Sequence, residues 1–305
     1  MKSGRSSLTK RILRNTDLYL FLLPAVVVVL LFSYVPMYGV QMAFKDYMPT
    51  KGFSGSAWVG FKQFERFFNS YQFNSVITNT LFLSLYNLAA AFPAPILLAL
   101  MINQIRAKGF QKVVQTTVYL PHFISTVVMV GMIMIFLSPN GGLYAMICKA
   151  IGTEPMILLG EKQLFRSIYV WSDVWQHTGW DSIIYIAALS SIDPTFYEAA
   201  TVDGASKIKQ ILHIDIPCLI PTIVTLLILR TGGILSVGFE KIYLLQNPLN
   251  TPVSEVIATY VYKVGIQSTQ YSYSAAIGLF NSLVNFIMLA AVNFFVGKVS
   301  DGNLF

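Results

Sequence analysis

Along the chain, apolar residues gather into runs of about twenty, the length an α-helix needs to cross a hydrocarbon core. Polar residues collect between them. The clearest runs are Leu18–Tyr38, Val76–Ile102, Val118–Leu137, Leu219–Val237 and Ala275–Val296. A weaker run, Ile168–Leu189, is interrupted by Asp173, His177 and Asp181. Keeping it gives six spans, at about 18–38, 76–102, 118–137, 168–189, 219–237 and 275–296. The pattern predicts an all-α integral membrane protein with six transmembrane helices. No repeat, linker or low-complexity tract divides residues 1–305, so one membrane domain is expected.

The basic residues then set an orientation. The N-terminus, 103–117, 190–217 and the C-terminal tail carry Lys2, Arg5, Lys10, Arg11, Arg14, Arg106, Lys108, Lys112, Lys207, Lys209 and Lys298. The opposite, longer loops hold Lys45, Lys51, Lys62, Arg66, Lys149, Lys162, Arg166, Lys241 and Lys263. This bias predicts both termini in the cytoplasm. The basic start of the first run also fits a cleavable signal peptide, but no small-x-small site closes it. It is therefore read as a span, in which Pro24 and Pro36 are tolerable.

Composition agrees. Apolar residues make up 55% of the 305 and charged residues 11%, against roughly 25% charged in a soluble domain. A soluble enzyme, a disordered chain and a disulfide scaffold are excluded. The net charge of +7 becomes a topology signal rather than a nucleic-acid signal. Cys148 and Cys218 fall on opposite sides of a bilayer about 30 Å thick and cannot pair. Phe61, Phe64, Phe67, Phe68 and Tyr71 recur at helical spacing, fitting a short helix on the outer membrane face or a packed loop helix.

The inside loop at 190–217 is the most informative segment. Asp193 before Pro194 is a good helix start, an N-cap acceptor followed by a residue with no N–H to lose. Gly204 can take the left-handed conformation that ends the helix. Ser206 can cap a second short helix reaching His213, with Pro217 opening the fifth span. A helix–glycine–helix hairpin is expected, small-sided at Ala199, Ala200 and Ala205.

EAATVDGAS, followed by I-x-I-P, resembles the EAA motif of ABC-importer permeases. Outside it, PMYGVQMAFKDY, FPAPILLALMIN, YLPHFIST and YSYSAAIGLFNS are similar to the LplB-type, MalF-related branch of the carbohydrate importers. The resemblance implies the type I importer permease (MetI-like) fold. It implies that Glu198, Ala199, Ala200, Asp203, Gly204, Ala205 and Ser206 form the coupling loop that docks on a cytosolic ATPase. It further implies two copies of that ATPase, which hold ATP and Mg, a second homologous permease as heterodimer partner, and an extracytoplasmic solute-binding protein delivering an oligosaccharide. The setting would be the bacterial cytoplasmic membrane. No G-x-x-x-x-G-K-[ST] phosphate loop occurs here, so no cofactor is assigned to this chain.

By distance from that motif, the sugar ligands of the larger maltose permease correspond to positions near Asp173, Gln176, His177, Trp180, Arg230 and Gly233. Asp173, His177 and Trp180 do share one helical face, and ionisable groups inside a bilayer normally face a cavity or a partner. The alternative is structural: an ion pair of Asp173 or Asp181 with Arg230, and His177 as a packing residue. Asn281 and Asn285 read as interhelical hydrogen-bonding residues, and His122 as structural. Arg230 and His177 raise an acidic sugar, uronate-containing or sialylated, as the cargo. Other readings are an importer permease for a non-sugar solute and an ATP-independent secondary transporter. No catalytic motif and no metal-ligand spacing is present, so neither enzyme chemistry nor a metal is assigned.

Overall fold

The computed structural model describes residues 15–299, with side chains as far as Phe294. Lys2, Arg5, Lys10, Arg11, Arg14 and the side chain of Lys298 lie outside the described residues. Among the described residues, four helices are long and apolar enough to cross a membrane: α1 (Thr16–Phe44), α3 (Phe73–Asn103), α8 (Lys207–Thr231) and the helix from Tyr271. A fifth crossing results if Lys108–Phe123 and Thr126–Phe136, bent by 96° at the break, act as one. Between α1 and α3 sits α2 (Lys62–Phe68). The bent pair comprises α4 (Lys108–Tyr119), a 3-10 turn and α5 (Thr126–Phe136). The other helices that position the site are α6 (Lys162–Ser190), α7 (Pro194–Val202), α9 (Phe239–Leu245) and α10 (Tyr271–Val299).

The most apolar stretch of α1 buries nothing against the other described residues. Its side chains are left for lipid or for another subunit. By contrast α6 has the length to span but the polarity of a lining helix. It packs on α3 and on the break between α4 and α5. Phe165, Tyr169 and Val170 on α6 join Leu83, Met129, Val130, Ile242 and Leu245 in one core cluster. Nearer the other end of α6, Tyr185 and Leu189 pack with Ala99, Leu100 and Leu219.

Two predicted spans change shape. The third, expected as one run over Val118–Leu137, is broken. Leu120–Phe123, which holds Pro121, tightens to a 3-10 turn, and a new helix starts after Ser125. The Ser125 hydroxyl accepts from the Val128 N–H at 3.4 Å. The fifth, expected over Leu219–Val237, begins at Lys207 and ends at Thr231. Its end is fixed by Gly232 and Gly233, after which the chain runs irregularly to Gly238.

The second short helix expected to stop at His213 is likewise not separate. It runs straight into the span through a π turn at Ile211–Asp215, where the Ile216 N–H reaches back to the Ile211 carbonyl. The wider turn comes two residues before Pro217, whose missing N–H would otherwise break the ladder. Pro36 is handled alike, after a π turn at Leu30–Tyr34. In the phenylalanine cluster Phe67 is buried against Phe73 at the start of α3 and Tyr273 and Phe280 on α10, whereas Phe61, Phe68 and Tyr71 are exposed.

Interhelix bonds identify which ends lie together. Gln104, just past α3, donates to Asp215 at 3.4 Å, and Lys207 reaches the Gln104 carbonyl at 3.5 Å. At the opposite end Asn247 and Asn250 donate to the Leu159 carbonyl, at 2.8 and 2.9 Å. The helices α3 and α6 therefore run in the same direction and α8 runs against them, and the hairpin after α6 shares an end with the loop after α3.

Candidate functional site

Two features stand out, a polar seam between helices and a hairpin at one end of them. The seam is built around Asp173. Its carboxylate accepts from Asn87 Nδ2 at 3.0 Å and lies 3.2 Å from His177 Nδ1, one turn further along α6. Lys241 Nζ on α9 is 3.7 Å away. Lys241 is 5% exposed and its ammonium makes no hydrogen bond. It sits 5.3 Å from the centre of the Tyr169 ring, so Asp173 and an aromatic face are what neutralise it. The placement contradicts the expectation of Lys241 as an ordinary loop lysine. The cause is the short helix α9, whose Ile242 and Leu245 are fully buried and carry Lys241 in with them.

Asp173 borders a cavity of about 220 Å³, lined also by Ser84, Asn87, Tyr169, Arg230 and Gly233. The far wall is the irregular stretch after α8. Its backbone is held by Asn285, which accepts from the Leu235 N–H at 3.0 Å and donates to Ser236 Oγ at 3.2 Å. Asn285 therefore ties α10 to this irregular stretch rather than to another helix. Asn281 has a buried side-chain oxygen with no partner. A Cβ at Gly233 would meet nothing within 4 Å, so that backbone opens directly onto free space. Arg230 donates from Nη1 to Asp181 Oδ2 at 3.1 Å. Of the ion pairs considered for Arg230, the structure therefore makes the one with Asp181.

The other sequence-derived residues divide. Gln176 is buried and donates to the Ile124 carbonyl at 2.8 Å, which pins the break in the third span rather than facing the cavity. Trp180 stacks on His122, with ring centres 4.4 Å apart and planes within 4°. His177 stands between the two, 5.5 Å from His122 on one side and against Asp173 on the other. So the predicted face of α6 is real, but only its Asp173 end lines the cavity.

Sequence reading missed Asn87, Ser84, Tyr169 and Lys241. Asn87 alone carried a signal, as an amide in an otherwise apolar stretch of span two. Gly179 was also missed. It lies so close to the Val118 carbonyl that any Cβ would collide with backbone, and this contact lets the broken span approach α6.

The hairpin forms as its residues dictate. Asp193 Oδ1 accepts from the Thr195 N–H at 2.9 Å, which also holds its carboxyl below the usual carboxylate range. At the far end of α7 the Gly204 N–H bonds the Thr201 carbonyl and the Ala205 N–H bonds the Ala200 carbonyl. Gly204 has φ +74°. This is the paired 5→2 and 6→1 closure that needs a left-handed residue. Ser206 caps the next helix, accepting from the Lys209 N–H at 3.5 Å. Glu198, Ala199, Asp203, Gly204 and Ser206 are exposed, and Ala200 and Ala205 are half-buried.

The Tyr197 side chain anchors this hairpin to the bundle. The Tyr197 hydroxyl donates to Asp215 Oδ1 at 2.5 Å, and Asp215 is fully buried at the π turn. Burial first, and the Asp215 carboxylate second, push the Tyr197 hydroxyl above its ordinary value, so it stays a donor at neutral pH. Phe196, Val202 and Ile208 project outward, each more than half exposed. The hairpin is thus fixed at its base and presents small, acidic and apolar groups at its tip.

Residues 91–301 match the profile of a family described as "Binding-protein-dependent transport system inner membrane component". The chain is 41% identical over 304 residues to the polygalacturonan/rhamnogalacturonan transport system permease protein YteP of Bacillus subtilis (strain 168). That match covers 100% of this chain and 95% of the relative. It is 40% identical to Protein LplB of the same organism, covering 96% and 92%. Among solved structures it is similar to a chain of a bacterial ABC transporter involved in the import of the acidic polysaccharide alginate. Identity there is 43%, the TM-score is 0.89, and the match covers 97% of this chain and 100% of the other. A second structure of a bacterial alginate ABC transporter, in complex with alginate pentasaccharide-bound periplasmic protein, gives a TM-score of 0.90.

Proposed function

The chain belongs to the family of binding-protein-dependent transport system inner membrane components, and from that premise we propose that it is the permease through which an acidic oligosaccharide is imported. In this reading six traversals form one membrane domain in the bacterial cytoplasmic membrane, with both termini inside. A second, homologous permease completes the pore, and two copies of a cytosolic ATPase hold ATP and Mg. An extracytoplasmic binding protein delivers the sugar.

The hairpin is the coupling element. Glu198, Ala199, Ala200, Asp203, Gly204, Ala205 and Ser206 meet the ATPase, and closure of the ATPase pair moves α7 and, through Tyr197 and Asp215, the base of α8. To couple, the hairpin must bind its partner differently in the two states, because a ligand shifts an equilibrium only by differential affinity. The exposed small side chains at its tip let another backbone approach closely.

The observation that carries the cargo class is Arg230. Its guanidinium opens onto a cavity at membrane depth and spends only one hydrogen bond on Asp181. A planar guanidinium with donors to spare is suited to a carboxylate. Asp173, Asn87 and Ser84 on the facing wall suit hydroxyls. The relatives named for acidic polysaccharides support the same class.

The test is to purify the complex with the products of neighbouring genes and measure ATP hydrolysis across matched uronate and neutral oligosaccharides. Stimulation by the uronate set is expected, and equal stimulation by both sets removes the acidic class. Sidedness has its own test. A cysteine placed at Ser206 should resist membrane-impermeant thiol reagents in intact cells, and labelling there would put the hairpin on the wrong side.

A further inference from the structure

Arg230 borders two cavities, not one. Beyond the polar cavity lies a second of about 320 Å³, lined by Phe92, Pro95, Asp181, Ile184, Tyr185, Leu226, Leu229 and Arg230. The helices that border both cavities place them in the same order. Along α3 the linings run from Ser84, Asn87 and Leu88 to Phe92 and Pro95. Along α6 they run from Tyr169 and Asp173 to Asp181, Ile184 and Tyr185. Along α8 the order reverses, as its opposite direction requires, from Gly233 back to Leu226. The cavities are therefore stacked along the helix axes. Roughly 16 Å of helix separates Asp173 from Ile184, at about 1.5 Å per residue. The upper cavity is polar, the lower is mostly hydrocarbon, and the Asp181–Arg230 pair lies where they meet.

We propose that the Asp181–Arg230 ion pair is a septum across the translocation path, and that the carboxylate of an acidic sugar opens it by replacing Asp181 on Arg230. Asp181 is then a specificity-determining residue that stands in for the cargo when the path is empty. The inference rests on the acidic-oligosaccharide reading and adds a gate to it.

One observation and two chemical arguments support the exchange. The pair is held by a single bond at 3.1 Å, and its side chains are 36% and 33% exposed. A partly exposed pair held by one bond can trade partners, unlike a fully buried one. The exchange replaces one carboxylate by another on the same guanidinium, so charge and hydrogen bonding are conserved throughout. The remaining donors of Arg230 can engage the incoming carboxylate before Asp181 leaves. A neutral sugar offers no such replacement. To pass, it would have to separate Asp181 from Arg230 with no carboxylate to take the vacated place. The gate therefore discriminates at the step of passage as well as at binding.

The experiment uses the full transporter in proteoliposomes, with oligogalacturonate and neutral oligosaccharide of equal length as probes. Asp181→Asn keeps the shape and removes the competing charge. It should raise ATP hydrolysis without cargo severalfold and narrow the uronate-over-neutral preference in uptake. The charge swap, Asp181→Arg with Arg230→Asp, restores a pair across the same gap. It should bring cargo-free hydrolysis below that of Asp181→Asn while abolishing the uronate preference. Unchanged cargo-free hydrolysis in Asp181→Asn would overturn the septum, and so would a charge swap that keeps the wild-type preference. Should Asp181→Asn fail to assemble, the charge swap alone decides. A wild-type complex with no uronate preference would instead remove the acidic-cargo reading, whereas the response of cargo-free hydrolysis would still report on the septum.

Discussion

The hairpin at 193–206 and the seam around Asp173 are both polar constructions, yet they are held by opposite means. The bonds that cap and close the hairpin span only a few residues: Asp193 to Thr195, Ala205 to Ala200, Ser206 to Lys209. The seam gathers Asn87, Asp173, Lys241 and Arg230 from four separate segments. A locally specified element keeps its form when it swings against a partner. A seam assembled from several helices changes when any of them moves. The difference suits a handle and a pathway respectively, and it can be attacked from either side.

The largest effect is expected where the seam depends on backbone contact. Gly179→Ala places a methyl group against the Val118 carbonyl, with no flexible side chain to yield. Overpacking costs ~1–3 kcal/mol even where neighbours can shift, so loss of properly folded protein is expected. Size-exclusion profiles and thermal unfolding of the detergent-extracted complex would show it. A well-behaved Gly179→Ala variant would mean that the break in the third span is not locked to α6.

Next in size come changes at the hairpin tip, which should spare folding and remove function. Glu198→Lys reverses an exposed charge and should leave the membrane level of the protein unchanged while abolishing cargo-stimulated ATP hydrolysis. Gly204→Val puts a β-branched residue at φ +74°, a strain of ~1–3 kcal/mol. It should lower both hairpin order and coupling. Full stimulated hydrolysis in Glu198→Lys would show that this tip is not what the ATPase grips.

The same contrast explains what could be read beforehand. Asp193, Gly204 and Ser206 declared their roles because capping and left-handed closure are encoded within a few positions. The apolar runs declared the long helices for the same reason. Lys241 gave no such signal: FEKIYLL reads as loop, and its burial follows from where Ile242 and Leu245 anchor α9. Gln176 was assigned to the pathway by its distance from a motif, yet one helical step from His177 its amide turns to the Ile124 carbonyl instead. The break after Pro121 was invisible to hydropathy, because both arms of a bent span are equally apolar. The end of α8 was hidden in the same way, since Ile234, Leu235 and Val237 continue the hydrophobic run past the glycines.

A smaller effect separates charge from packing inside the seam. Lys241→Met removes one partner of Asp173 but leaves Asn87 and His177 in place. The cost should fall below the ~3–5 kcal/mol of stranding a buried charge outright. Adding Asp173→Asn to it should recover part of the loss, because the uncompensated carboxylate is then gone. A double-mutant cycle on thermal stability measures the coupling, and strict additivity would show that the two groups do not interact.

The smallest effects lie in the hairpin caps and test whether the handle is as locally determined as its bonds imply. Asp193 holds the Thr195 N–H at 2.9 Å, whereas Ser206 reaches the Lys209 N–H only at 3.5 Å, the outer limit for such a bond. Asp193→Ala should therefore cost ~1 kcal/mol of helix stability, and Ser206→Ala only a few tenths. Because Tyr197 still ties α7 to the buried Asp215, neither change should alter cargo binding or membrane level. Hydrogen exchange over residues 194–202 should rise in Asp193→Ala and stay near wild type in Ser206→Ala. If instead Asp193→Ala disturbed exchange around Asp173 as strongly as within α7, the hairpin would not be a self-contained unit. The division between a rigid handle and a mutable pathway would then have to be redrawn around Asp215, where the two regions join.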